Sequence, residues 1–220
     1  MTDASATAAS QPMLTWGTRR ARLALTATIM GSGLAFLDGS IIAVASPHIE
    51  ADLGGGLATI QWVFDGYLLT LGALVLVGGS LGDLLGKRVV FIVGTAGFGI
   101  ASVLCGLAPT APILIAARML QGGTAALVVP TSLALVNTLF GGGDRGKAIG
   151  AWSGLAGVFT AVGPFIGGLL VDSSSSGWRW VFLINIPLVV AAIGLALIAI
   201  PPTPGTRTSA PLRHQVDFLG

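Results

Sequence analysis

Three charged side chains lie inside runs that are otherwise almost wholly apolar: Asp38 in run 23–45, Asp65 in run 60–81 and Arg118 in run 113–135. If these runs cross a bilayer, each charge sits where water is scarce. An ionised Asp near the centre of a spanning helix costs roughly 2.5–3.5 kcal/mol on insertion scales. Ionisable groups at such depth commonly mark a proton or substrate path. A positive charge beside a carboxylate favours its ionised form, and burial disfavours it. A carboxylate whose water access and distance to Arg118 change through a cycle can therefore bind and release a proton. The bland counterpart is a static ion pair that only orders helices.

The elements that must position these charges are six apolar runs: 23–45, 60–81, 89–107, 113–135, 149–171 and 180–200. Crossing about 30 Å of hydrocarbon takes ~20 helical residues. The chain is 53% hydrophobic and 9% charged, against about 25% charged in soluble domains. That composition predicts an all-α integral membrane protein. The 33 glycines suit helices that pack closely without a hydrophobic drive between them. A net charge of +2 is too small to point to nucleic acid. The lone Cys105 excludes an intrachain disulfide or a cysteine metal cluster, and no cofactor or metal set is expected. No nucleophile–base arrangement suggests an enzyme.

Run 23–45 follows Arg19, Arg20 and Arg22, and Ala43-Val44-Ala45 resembles a signal-peptide cleavage site. It exceeds the usual 7–15-residue signal core, contains Asp38 and precedes further spans, so it reads as the first span. Residues 1–22 are expected to form a disordered tail, 23–200 the bundle, and 201–220 a linker with the start of a seventh span.

The short loops give the orientation. With the N-terminus inside, the inner segments hold Arg19, Arg20, Arg22, Lys87, Arg88, Arg145, Lys147, Arg207 and Arg213, and the outer segments only Arg179. At 1.5 Å rise per residue, Asp38 lies roughly 13 Å below the outer end near Pro47, and Arg118 about 8 Å below its own outer end. Asp65 has a depth similar to that of Arg118. All three fall in the outer half, which permits one acid–base cluster, although Asp65 is near enough to the interface to reach water.

The turn Gly79-Ser80-Leu81-Gly82-Asp83-Leu84-Leu85-Gly86-Lys87-Arg88 joins the second and third runs. Asp83 is placed to cap the third helix, where a carboxylate meets free N–H groups. A P-loop is excluded because Leu81 and Arg88 stand where Gly and Ser or Thr are required. The fifth run carries Gly150, Gly154, Gly157, Ala161, Pro164 and Gly168 at helical spacing, a bare face that predicts a tight contact. Gly163 and Gly167 lie beside it, and Pro164 should bend the helix. Gln121, Asn137 and Asn185 are candidates for lining a cavity or bridging helices. Gly78-Gly79 followed by Asp83, Gly86 and Arg88 is echoed by Gly167-Gly168 followed by Asp172, Gly177 and Arg179. One turn lies inside and the other outside, as in an inverted 3+3 repeat.

Several of these stretches resemble, in order, motifs of the major facilitator superfamily, most like its 14-span drug:proton antiporters. They are Leu37-Asp38-Gly39-Ser40-Ile41-Ile42-Ala43-Val44-Ala45-Ser46-Pro47, Gln61-Trp62-Val63-Phe64-Asp65-Gly66-Tyr67, the 79–88 turn, Arg118-x-x-Gln121-Gly122, Gly163-Pro164-x-x-Gly167-Gly168 and Trp178-Arg179-Trp180-x-Phe182-x-Ile184-Asn185-x-Pro187. Ala43 departs from the pattern where Asn is common, and Phe159 where Gly is. The resemblance implies a six-helix N-terminal half of the fold in the cell membrane, working as a proton-coupled exporter of hydrophobic or cationic small molecules. It assigns proton coupling to Asp38, Arg118 and Asp65. It makes Gly79, Asp83, Gly86, Lys87 and Arg88 a gating loop, and Gly163, Pro164, Gly167 and Gly168 an antiporter motif. The implied partners are lipid, protons, the transported molecule, and a C-terminal half or second copy completing the path. A non-transporting membrane fragment and an importer of another solute are the alternatives.

Overall fold

The computed structural model describes residues 13–174, 176–203 and 205. Its helices are α1 (Arg19–Leu53), α2 (Gly56–Leu85), α3 (Lys87–Gly106), α4 (Ala111–Leu139) and α5 (Gly142–Val171), followed by a 3-10 turn at Gly177–Arg179, α6 (Trp180–Leu183) and α7 (Asn185–Ala199). The turn, α6 and α7 together make a sixth span, so six segments are long and apolar enough to cross a membrane.

Several helices extend beyond their apolar runs, α1 at both ends. Pro47 does not end α1, which continues to Leu53. Proline cannot donate to the carbonyl four residues back; the Ser46 hydroxyl donates to that Ala43 carbonyl at 2.8 Å instead. At the other end the Thr18 side chain accepts from Ala21 N–H, so the helix starts at Arg19, inside the segment expected to be a tail. Residues 13–18 are docked as well. Leu14 N–H donates to the Leu139 carbonyl at 2.7 Å, and Trp16 N–H to the Asp144 carboxylate at 3.0 Å. The remainder of the expected tail, 1–12, and the expected start of a seventh span near Asp217 lie outside the described residues.

The packing follows one exchange rule. α1 lies against α5 and the sixth span, and α4 lies against α2 and α3; α1 also meets α4, and α3 meets α7. Swapping the first three spans for the last three reproduces this pattern, as an inverted repeat requires. The α2–α4 and α1–α5 pairings are close approaches at glycine. A Cβ at Gly78 of α2 would strike the Ala126 carbonyl of α4, and a Cβ at Gly163 of α5 would strike Ser40 of α1. α1 is the most buried span, while α2 and α5 are the most open.

One expectation about α5 is overturned. Gly150, Gly154, Gly157 and Gly168 have open space where a side chain would stand, so the small-residue stripe is not the contact face within this chain. Gly163 and Gly167, beside the stripe, make the contact with Ser40, Ile41 and Val44.

Candidate functional site

Along four of the spans, a polar residue separates two apolar layers. In α1, Leu34 and Ala35 precede Asp38, and Ile41 and Ile42 follow it. In α3, Phe98 precedes Ser102 and Cys105 follows. In α4, Leu114 and Ala117 precede Arg118 and Gln121, and Ala125 follows. In the sixth span, Phe182 precedes Asn185 and Val189 follows. The polar groups thus meet in one slab inside the bundle, sealed above and below. Asp38, Ser102, Gln121 and Asn185 are fully buried, and Arg118 is 1% exposed.

Arg118 is the hub. Its Nη1 donates to Asp38 Oδ2 and, at 2.7 Å, to Gln121 Oε1. Its Nε donates to the Val63 carbonyl of α2 at 3.1 Å. The guanidinium carbon lies 4.3 Å from the Tyr67 ring centroid and 5.9 Å from that of Phe182, within cation–π range. Gln121 sits three residues on, on the same helix face. Its Nε2 donates to Asp38 Oδ1 at 2.9 Å and to Ser102 Oγ at 2.9 Å. Asn185 Nδ2 reaches Asp38 Oδ1 at 3.4 Å and Ser102 Oγ at 3.3 Å. The Cys105 thiol approaches Gln121 Oε1 at 3.5 Å. A desolvated carboxylate is thus compensated by a full charge and two amides, which is what a buried ion pair needs to persist.

Asp38 and Arg118 therefore meet as their shared depth suggested. Asp65 does not join them: it is exposed on α2, while Val63 and Tyr67 turn the opposite face of that helix to Arg118. Gln121 and Asn185, candidates as cavity-lining groups, are direct partners of Asp38. Ser102 is not marked by any sequence feature, and Tyr67 enters only as the end of the 61–67 stretch, with no role of its own. Serine is too common in spans to signal a site, and whether the chain's one tyrosine faces Arg118 depends on helix rotation, whereas Asn185 is the sole amide in its run.

The 79–88 turn lies at the basic end. Asp83 falls in the last turn of α2 and pairs with Lys87 at 3.4 Å. It does not cap α3. Gly86 holds the cap position at φ 95°, a backbone geometry that favours glycine. The Arg88 N–H is met by the Thr203 hydroxyl at 2.9 Å, and Arg88 Nη2 donates to the Leu197 carbonyl. Lys87 Nζ also donates to Thr138 of α4 at 3.3 Å. The turn is thus tied to α4, to α7 and to the segment after it. Gly79 is half-buried on α2, and Pro164 is exposed on α5, which runs through it unbroken. At the opposite end, Asp52 accepts from Trp178 Nε1 at 2.9 Å and from Arg179.

Comparison with known proteins agrees with this architecture. The Major Facilitator Superfamily model matches residues 28–217. The chain is 42% identical over 202 residues to the "Probable actinorhodin transporter" of Streptomyces coelicolor, covering 90% of this chain and 34% of that protein. It is 42% identical over 174 residues to the "Tetracenomycin C resistance and export protein" of Streptomyces glaucescens, covering 79% and 32%. It spans about a third of the length of these curated relatives. Among solved structures, a bacterial homologue of the human lysosomal transporter Spinster, inward-facing and unoccupied, superposes with a TM-score of 0.73 at 21% identity, over 86% of this chain and 45% of that one. That likeness shows a shared fold. With six spans, an internal pseudo-repeat and a matching family model over most of its length, this multi-pass membrane chain belongs to the Major Facilitator Superfamily.

Proposed function

We propose that the bundle is the N-terminal half of a proton-coupled exporter of hydrophobic or cationic small molecules, with Asp38 as the proton carrier. The observation that carries this is a fully buried carboxylate held by an equally buried guanidinium. A structural pair is often replaceable by apolar residues at no loss of stability, so keeping ionisable groups at this depth favours a function for them. The export direction draws on the names of the relatives, one of which is a resistance and export protein. Asp65, on the open face of α2, is assigned to the path between this half and its complement, where it meets protons or a cationic substrate. The complement is a second six-helix half or a second copy. The 79–88 turn acts as the gate at the basic end, and Gly163, Pro164, Gly167 and Gly168 hold α5 close to α1 as the halves move. The setting is the cell membrane, with the N-terminus cytoplasmic.

The test is efflux of a cationic dye from dye-loaded right-side-out vesicles driven by a pH gradient, acid outside, with the bundle supplied together with its complementary half. Asp38→Asn is expected to abolish gradient-driven movement while leaving dye binding measurable. Gradient-driven efflux at the normal rate in Asp38→Asn reduces the pair to a static support and overturns the assignment.

A further inference from the structure

Asn185 carries an atom that the cluster leaves unused. Its Nδ2 serves Asp38 and Ser102, yet its Oδ1 is buried and accepts no hydrogen bond from any described group. A buried amide oxygen without a donor is costly. The same site holds a carboxylate with the complementary problem. Ionised, Asp38 only accepts, and Arg118, Gln121 and Asn185 all donate to it. Once protonated it becomes a donor and needs an acceptor. Gln121 Oε1 already takes Arg118 and Cys105, and Ser102 Oγ already takes both amides.

We propose that Asn185 is the positioning residue that receives the Asp38 O–H, by turning its amide so that Oδ1 replaces Nδ2 opposite Asp38; the proposal rests on the reading of Asp38 as proton carrier. In this step one proton adds to the Asp38 carboxylate to give a neutral acid. Arg118 keeps its proton, and Asn185 stays neutral. After the turn, Oδ1 also faces the Ser102 hydroxyl, which is free to donate. The Asp38–Asn185 separation of 3.4 Å exceeds the roughly 2.5–3.0 Å of an O–H···O bond, so the amide must close in by about half an ångström. The backbone allows it. Asn185 begins α7 directly after Ile184, which keeps helical dihedrals, but Pro187 cannot donate to the Leu183 carbonyl, so this turn lacks one backbone hydrogen bond. The protonation of Asp38 is thereby read as a small movement of the sixth span.

The titratable and charged groups facing Asp38 are Arg118 of α4, Tyr67 of α2 and Cys105 of α3. Asp144, Arg145 and Lys147 of α5 lie in its first turns at the basic end, and α6 and α7 carry none.

The experiment is pH-difference infrared spectroscopy of the protein in liposomes, following the carbonyl stretch of a protonated carboxylic acid. The band assigned to Asp38 is the one lost in Asp38→Asn. In Asn185→Leu, which fills the space without an acceptor, that band is expected to move to higher wavenumber, as an acid does on losing its hydrogen-bond acceptor. Asn185→Gln is expected to return it part of the way. Should Asn185→Leu fail to fold, Asn185→Ser serves, with an expected smaller shift in the same direction. An Asp38 band at the same position in the Asn185 variants overturns the proposal and leaves the proton-carrier reading standing. Absence of any band sensitive to Asp38→Asn overturns that reading, and this proposal with it.

Discussion

The weight of the Asp38–Arg118 pair lies in what happens when half of it is removed. Both side chains are out of solvent, and breaking a buried pair leaves an uncompensated charge at a cost of about 3–5 kcal/mol. Arg118→Ala is therefore expected to destabilise the bundle by that amount in detergent unfolding. Asp38→Leu combined with Arg118→Met is expected to recover most of the loss, because no charge is left stranded. Arg118→Lys keeps the charge but has a single nitrogen to replace the bonds to Asp38, Gln121 and the Val63 carbonyl, so an intermediate loss follows. Equal losses in Arg118→Ala and the double variant contradict this account. The pair itself was legible in the sequence, since a charge inside an apolar run is conspicuous and helical rise gives its depth. Its amide partners were less so. Gln121 follows from a three-residue spacing, but Ser102 and the orientation of Asn185 depend on helix rotation.

Rotation is where sequence reading of these elements stops. A soluble helix declares its buried face by polarity; in lipid both faces are apolar, and packing is settled by shape. The α5 stripe illustrates this. Six small residues at helical spacing describe a smooth face correctly, yet the contact with α1 falls one step round, on Gly163 and Gly167. The helix ends were hidden for a related reason. Pro47 ends the apolar run, but Ser46 supports the backbone across it, and the α3 cap comes from Thr203, far away in sequence. The corrected α5 face makes a paired prediction. Gly163→Ala pushes a methyl into Ser40 and should cost about 1–3 kcal/mol, as overpacking does. Gly168→Ala enters open space and should stay within about 0.5 kcal/mol of the parent. Thermal unfolding of the two variants in one detergent decides between the faces, and a larger loss at Gly168 would restore the stripe as the contact.

At the scale of the whole molecule, the exchange symmetry and the charge distribution give the bundle a direction. The turns at one end carry Lys87, Arg88, Arg145 and Lys147 beside the arginines that open α1, whereas Arg179 is the lone Lys or Arg among the described residues at the other. Basic residues in short loops are retained on the cytoplasmic side during insertion, so the basic end should face inward. Arg179 weakens this little. Its guanidinium is engaged by Asp52 and by the Gly106 and Ala108 carbonyls, and it lies 4.4 Å from the Trp178 ring centroid, tying α1, the end of α3 and the start of the sixth span together. Two exposed positions report the orientation: Thr110 before α4 and Gly143 in the first turn of α5. The native Cys105 is buried and should stay silent. In intact cells, Thr110→Cys is expected to react with an impermeant maleimide, and Gly143→Cys only after the membrane is opened. The reverse pattern would turn the bundle over, placing the 79–88 turn outside and making proton entry to Asp38 from the cytoplasm the shorter route, because Asp38 lies nearer the non-basic end of its run.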